Sequence, residues 1–155
     1  MKASTLLSKW AVLLMLTAVL SACSANELNG NNEEKDFTEF SLYGTGCWWT
    51  TVSDEVIIIN SNEELRRHIE CDENANFPVI DFSRYTLLHV SGFVPHIFGV
   101  SNVHFEQRSS NSYKLNIEVD RSGPAPAMPW RWRVTILVEK IDDNSDIKLN
   151  VKYIY

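Results

Sequence analysis

Hydrophobic and polar residues alternate along the C-terminal third of the chain. Every second residue is apolar through positions 113–119, 132–138 and 147–153, and the residues between them are mostly polar or charged. Successive side chains of a β-strand point to opposite faces, so this period of two predicts three long strands with one buried face each. The pattern predicts a mainly β domain, built as an antiparallel sandwich or a strongly curled meander sheet.

Four shorter apolar runs precede these strands and are typical of further strands. They are rich in β-branched and aromatic residues, which favour the pleated, half-buried surface of a sheet. They span residues 47–52, 56–59, 86–90 and 100–108. Within the first run Trp48 and Trp49 are adjacent, so the two indoles must point to opposite faces and we expect one of them in the core.

One segment predicts a single short helix packed against the sheet. Ser61 can accept a hydrogen bond at the helix N-terminus, and Glu64 three residues later completes a capping-box pattern. Leu65 and Ile69 are four residues apart, so they fall on one helical face and predict its buried side. Cys71 follows the expected end of this helix.

The N-terminal segment has the pattern of an export signal. A basic start precedes residues 10–20, an apolar run of about a dozen residues that is shorter than the roughly 20 needed to span a bilayer. Residues 20–23 (Leu-Ser-Ala-Cys) resemble the lipobox at which bacterial lipoprotein precursors are cleaved and lipidated. The resemblance implies that residues 1–22 are a lipoprotein signal peptide and that Cys23 carries a diacylglycerol and an N-acyl chain.

A lipidated Cys23 would hold the protein firmly on a membrane, because several acyl chains anchor more stably than one. Ser24 stands where the inner-membrane retention signal of proteobacterial lipoproteins has an aspartate. The resemblance therefore implies a lipid-anchored protein of the cell envelope at the outer membrane. An ordinary secretory signal with a chance cysteine at position 23 is the alternative.

Composition separates the segment after Cys23 from the rest of the chain. Residues 23–36 are rich in Asn, Glu and Asp and poor in large apolar side chains, so they cannot offset their ordering entropy by burial. We expect a disordered tether there and a single β-rich domain over residues 37–155. The formal net charge of −6 becomes more negative without the basic leader, which argues against binding to nucleic acid.

The cysteines predict one disulfide. The chain has three cysteines, and Cys23 is assigned to lipid. Cys47 and Cys71 are then an even pair in an exported and oxidising compartment, which predicts that they are joined. Two buried free thiols are the alternative. A redox role is disfavoured because the chain has no CxxC spacing.

A strand, a capped helix and a segment that leads into a meander of strands follow one another in the chain, and this order resembles that of a known family. The residues that carry it are 56–65 (VIIINSNEEL) and 78–83 (PVIDFS). Over roughly residues 56–140 this order is similar to the C-terminal domain family of PrcB-type protease-complex subunits, and the chain as a whole resembles the small single-domain lipoproteins of Bacteroidetes. The resemblance implies a non-catalytic partner of an envelope protease and transfers no catalytic residue.

The residue types that perform catalysis or bind metals form no recognisable motif. None of the histidines has the HExxH arrangement; they are His68, His89, His96 and His104. His89 and His104 could be neighbours across two strands, but a zinc site would need a further ligand. There is no GxSxG elbow and no glycine-rich phosphate loop. We expect a protein without enzyme activity, metal or cofactor.

The connection over residues 123–130 is the strongest candidate for binding. Three prolines stiffen it, and a rigid loop loses little entropy on binding. The candidate contact residues, including the two arginines that follow the loop, are Pro124, Pro126, Met128, Pro129, Trp130, Arg131 and Arg133. Met128 and Trp130 are apolar anchors of the kind found at interfaces. The alternative is a structural crossover whose prolines block edge pairing.

Two functions remain after these exclusions. The first is a lipid-anchored, non-catalytic interaction module that binds a protein partner, such as an envelope protease. The second is a glycan-binding lipoprotein whose sugar-stacking platform comes from exposed rings among Trp48, Trp49, Trp130 and Trp132. Coplanar exposed rings with polar neighbours would favour a glycan, whereas an apolar patch would favour a protein partner.

Overall fold

The structure, a computed structural model, describes residues 32–95, 99–123 and 129–155. The described chain is mainly β with one short helix, as the alternating pattern predicts. The strands are β1 (Glu33–Glu34), β2 (Phe37–Glu39), β3 (Cys47–Trp49), β4 (Ile57–Ile59), β5 (Ile69–Cys71), β6 (Tyr85–Val94), β7 (Gly99–Ser109), β8 (Ser112–Asp120), β9 (Trp130–Glu139) and β10 (Asp146–Ile154), and the helix is α1 (Asn62–His68).

The strands form two four-stranded sheets and a smaller ladder. The front sheet has the strand order β1-β7-β8-β10, and the central sheet has the order β2-β9-β6-β4. The small ladder consists of β3 and β5 alone. Apolar residues of the front and central sheets pack together as one core, which we call the sandwich core. The predicted sandwich is therefore confirmed.

A second core lies on the other face of the central sheet, where the small ladder and α1 pack. We call it the back core, and its fully or nearly buried members are Leu42, Cys47, Trp49, Ile59, Leu65, Ile69, Ile80 and Leu87. Strand β6 contributes to both cores, with Leu88 and Val90 on the sandwich side and Leu87 on the back side. This double burial explains why residues 86–91 are all buried although a one-sided strand would alternate.

The pairing of the last strands corrects one expectation. We expected an antiparallel meander, but β8 and β10 are in the front sheet and β9 is in the central sheet. β10 pairs with β8 in parallel, from Asp146 opposite Ser112 to Ile154 opposite Asp120. Alternation identifies which face of a strand is buried and does not identify its neighbour. The chain crosses the core at β9 and returns, so β10 points the same way as β8.

Helix α1 begins at the predicted cap and ends earlier than predicted. The Ser61 hydroxyl accepts a hydrogen bond from the Glu64 N–H at 3.1 Å, which confirms the cap. The Glu64 carboxylate accepts from the N–H of Asn60 at 2.6 Å and not from the N–H of Ser61. Ile69 is extended and opens β5, so it is buried beside Leu65 as a strand residue.

The disulfide prediction and the tryptophan prediction are both confirmed in the small ladder. Cys47 and Cys71 are directly paired across β3 and β5 and are joined by a disulfide. Trp49 points into the back core, and Trp48 beside it is exposed on the opposite face. The bond ties the strand that follows α1 to the strand that carries Trp49.

Strand β1 lies within the predicted tether, before Phe37, which corrects the predicted end of the tether. Glu33 and Glu34 pair with Gln107 and Glu106 on the edge of β7, and the N–H of Lys35 donates to the carbonyl of Phe105 at 2.8 Å. A free sheet edge orders a polar segment through main-chain hydrogen bonds, which composition does not reveal. The predicted lipid site Cys23 and the signal peptide lie outside the described residues.

Gly92 lies within β6, at a point where an indole occupies the space that a side chain would take. Gly92 pairs with Trp132 across β6 and β9, and a Cβ on Gly92 would lie 2.7 Å from the Trp132 Cζ2 atom. Trp132 is buried in the sandwich core, so it cannot move aside without disturbing its neighbours.

We expect Gly92→Ala to lower the free energy of unfolding by about 1–3 kcal/mol, the usual range for overpacking a core. Gly99→Ala is the matched control, because a Cβ at Gly99 has no heavy atom within 4 Å. Urea unfolding of both variants and the wild type measures the difference. Equal stability of the two variants would contradict the packing of Trp132 over Gly92.

We expect the double variant Cys47→Ala, Cys71→Ala to lose about 3 kcal/mol of unfolding free energy, because the disulfide restricts a long loop in the unfolded chain. The two half-cystines are 24 residues apart. Denaturant unfolding with and without reductant measures the loss: the wild type should respond to reductant and the double variant should not. A loss well under 1 kcal/mol would argue against this role.

Candidate functional site

The predicted binding residues are only partly among those that the structure describes. Pro124, Pro126 and Met128 lie outside them. Pro129 and Trp130 are exposed at the start of β9. The side chains of Arg131 and Arg133 lie on the back face of the central sheet, whereas Trp132 between them is buried in the sandwich core. The described part of the candidate site is therefore the N-terminal end of β9.

Phe93 joins these residues through the register of β6 and β9. Val94 pairs with Trp130, and Phe93 pairs with Arg131, whose guanidinium carbon lies 5.0 Å from the centroid of the Phe93 ring. Trp130 is 57% exposed and Phe93 is 54% exposed, on opposite faces of the same sheet end. We call this set, Phe93, Trp130, Arg131 and Arg133, the Trp130 surface.

The two arginines of the Trp130 surface form no ion pair with a described residue. The ion pairs present within residues 32–95, 99–123 and 129–155 all involve other cations. Burial lowers the pKa of Arg133, with a further contribution from the charge of Arg131, and an arginine still remains protonated. In an acidic chain, two positive charges that no described carboxylate neutralises therefore lie next to each other on one strand face.

A cleft of about 900 Å³ lies beside this part of β9. It is bounded by residues 133–136 of β9, by residues 100–103 of β7 and by the segment that leads from β2 into β3. Tyr43 stands on its rim and is 97% exposed. The Thr45 N–H donates to the Leu42 carbonyl at 3.1 Å, and Gly44 adopts a φ of 78°, so a tight turn presents the Tyr43 ring.

The interior next to this surface contains a neutral histidine. The ring of His89 stacks on Trp49 with centroids 3.9 Å apart, and its Nδ1 atom lies 2.8 Å from the Thr135 hydroxyl. Its Nε2 atom has no hydrogen-bond partner among the described residues. Burial, then the charge of Arg133 and that of His68, lowers the pKa of His89 to about 4. The imidazole is therefore uncharged at neutral pH.

The suggested pairing of His89 with His104 is wrong. His89 lies on β6 of the central sheet, whereas His104 lies on β7 of the front sheet, opposite Asn116. His104 is exposed and contacts Glu34 through Nδ1 at 3.1 Å. Over the part of the chain that the structure describes, no three His, Cys, Asp or Glu side chains are placed to hold a metal ion.

The four tryptophans considered for a glycan platform are not brought together. Trp49 is buried in the back core and Trp132 in the sandwich core. The exposed pair, Trp48 and Trp130, belongs to two different sheets. Stacking on a sugar needs exposed rings, so at most these two are accessible for it.

Phe93 and Tyr43 are surface residues that the sequence pattern did not single out. Phe93 follows the apolar run 86–90 by three residues, and only the register with β9 places it beside Arg131. Tyr43 preceded a pair of glycines, which is a turn signal that could have suggested an exposed ring.

Comparisons with protein-family models, with curated proteins and with solved structures found no match to this chain. Among the described residues, no helix combines the length and the apolar character required to cross a bilayer. The similarity to PrcB-type subunits stays a prediction.

We expect His89 to make the stability of the fold depend on pH. Its folded pKa of about 4 lies below its ordinary value of 6.5, so the unfolded chain takes up the proton first as the pH falls. The stability that the neutral His89 ring contributes to the fold is fully present above pH 6.5 and is lost as the pH falls towards about 4. Since one pKa unit is worth about 1.4 kcal/mol, the full loss is on the order of 3 kcal/mol.

NMR titration of the His89 ring in the folded protein measures this pKa directly. The same ring in urea-unfolded protein is the internal control, with an expected midpoint near 6.5. In addition, His89→Asn should flatten the dependence of the unfolding free energy on pH over this range. A folded-state midpoint near 6.5 would show that the imidazole is not desolvated.

Proposed function

We propose that this chain is a lipid-anchored protein of the bacterial cell envelope and that its domain is a non-catalytic module that binds a protein partner. The lipobox-like residues 20–23 support the anchor at Cys23 and the outer-membrane location. The Trp130 surface supports the binding role.

The observation that carries the proposal is that two exposed aromatic rings lie at one end of the central sheet beside two arginines that form no ion pair with a described residue. Trp and Arg are the residue types most enriched among binding hot spots, and aromatic rings are enriched at interface centres. Phe93, Trp130 and the arginines are on β6 and β9, which pair over their full lengths. The backbone of such a ladder is already ordered, so binding does not have to order it.

The partner class that we favour is a protease of the envelope, which follows from the resemblance to PrcB-type subunits. A non-catalytic role agrees with the lack of a catalytic motif in the sequence. The rigid β9 residues would position the partner, and lipid on Cys23 would restrict both proteins to one membrane surface, which raises their effective concentration.

Glycan binding is the second candidate, and one observation favours it. The cleft is bordered by the rings of Tyr43 and Trp48 and by hydrogen-bonding side chains such as Asn102. An exposed ring next to polar groups suits a sugar. Trp49 and Trp132 are buried, so they cannot contribute rings to a sugar-stacking platform made of four tryptophans.

Site-specific photo-cross-linking in cells that make the protein tests the favoured function. A photoreactive amino acid replaces Trp130 in one variant and Phe93 in a second. Tyr153, a half-exposed ring on β10, is replaced in the control variant. We expect both surface positions to cross-link to the same envelope protein and the control position not to do so.

Trp130→Ala should then reduce capture of that partner by about tenfold, as expected for loss of one hot-spot ring. The unfolding free energy should change by less than about 1 kcal/mol because the ring is mostly exposed. Tyr153→Ala is the matched control for both measurements. Equal loss of capture and stability in Trp130→Ala, or the same cross-links from all three positions, would contradict the proposal.

A further inference from the structure

We propose that the segment bound by this module is an extended acidic peptide strand, which pairs with the open edge of β9 at Arg131 and Arg133. This inference rests on the proposed function, because it specifies what a protein partner presents to the Trp130 surface.

The first observation is that β2 covers only part of one edge of β9. β2 pairs with β9 from Phe37 opposite Val138 to Glu39 opposite Ile136, and the N–H of Phe40 donates to the carbonyl of Thr135 at 2.9 Å. The chain then turns away into the tight turn that carries Tyr43. On its other edge β9 is paired with β6 along all of Trp130–Glu139.

The direction of the backbone groups follows from this bond. In a strand the N–H and C=O of one residue point to the same side, and successive residues point to opposite sides. The Thr135 carbonyl points to the side of β2, so the main-chain groups of Arg133 and Arg131 point there too. No described residue hydrogen-bonds these four groups. They are the donors and acceptors that an added strand uses.

The second observation is the charge at the same two residues. Arg131 and Arg133 have their side chains on the back face, with no described carboxylate within 4 Å of either guanidinium. In a paired strand, the residues opposite them would have Cβ atoms about 5 Å away, within reach of a bidentate contact from Asp or Glu. Acidic residues at alternate positions would therefore meet the two arginines.

The third observation is the space next to the open edge. The cleft of about 900 Å³ extends along β9 from Arg133 and is within the size range of ligand pockets. On the sandwich side its lining includes Val100, Val103 and Val134. Glu39 lines it as well, which disfavours acidic residues on that side. The fitting sequence alternates acidic residues towards the arginines with apolar residues towards the valines.

The probe for this proposal is a short synthetic peptide of alternating glutamate and valine. It is added to the full chain, purified from membranes in detergent and labelled with ¹⁵N only at arginine. Amide hydrogen exchange is then followed for Arg131 and Arg133. The Arg121 amide is the internal control, because its N–H already donates to the Ile154 carbonyl at 2.8 Å, away from the open edge of β9.

We expect the Arg131 and Arg133 amides to exchange fast in the free protein and about tenfold more slowly with the peptide, because new backbone bonds protect them. The Arg121 amide should not change. A lysine–valine peptide, and a glutamate–valine peptide methylated at its backbone nitrogens, should not protect either amide. The first peptide is positively charged and is repelled by the two arginines, and the second cannot donate backbone hydrogen bonds to β9.

The double variant Arg131→Gln, Arg133→Gln should bind the glutamate–valine peptide at least about tenfold more weakly than the wild type, because it lacks the charge-assisted bonds. Arg108→Gln is the matched control, since Arg108 is an exposed arginine on β7 paired with Glu106. A protected Arg121 amide in each variant shows that the fold is intact.

The outcomes separate this proposal from the function on which it rests. Cross-linking of a partner at Trp130 without amide protection by the peptide would overturn strand addition and leave the interaction module standing. Peptide binding that survives the double replacement, tight binding of the lysine peptide, or occupation of the edge by a second copy of this chain would also overturn it. Protection of both amides that needs both arginines would support it.

Discussion

The ladder between β6 and β9 is the interaction on which the rest of the structure depends. It places Leu88, Val90 and Val134 against the front sheet and Leu87 against the small ladder and α1, so one pair of strands organises two cores. Burial on both faces removes every water-exposed surface from the middle of β6. That burial stabilises the fold, because the hydrophobic effect contributes in proportion to the apolar area removed from water.

The same ladder explains why the candidate surface lies at its end. The strands of the small ladder are only three residues long, so this layer covers the back face at Leu87 and His89 and does not reach Phe93 or Arg131. Where the cover is present, a polar ring such as His89 stays neutral under Trp49. Beyond the end of the small ladder, aromatic and cationic side chains remain accessible on the paired strands β6 and β9.

The edges of the two larger sheets are also paired with neighbouring strands to different extents. The short β1 and β2 pair with only part of β7 and β9, and the segment after β2 leaves the sheet through a glycine turn fixed near the disulfide. The parallel β10 is the other edge strand of the front sheet and carries Lys148 and Lys152, and charged residues are common on edge strands that must not pair further. On β9, open backbone groups lie next to two arginines that form no ion pair with a described residue.

The sequence by itself determined the class of the fold, the cap at Ser61, the disulfide and the burial of one of the two adjacent tryptophans, because these depend on local periodicity and on side-chain chemistry. It also predicted Trp130, Arg131 and Arg133 as contact residues, and that stays a prediction. Only the tertiary structure decided that β10 is parallel to β8, that β1 is ordered and that Phe93 lies beside Arg131. Those features depend on which strands become neighbours, and alternation records the buried face of a strand without recording its partner.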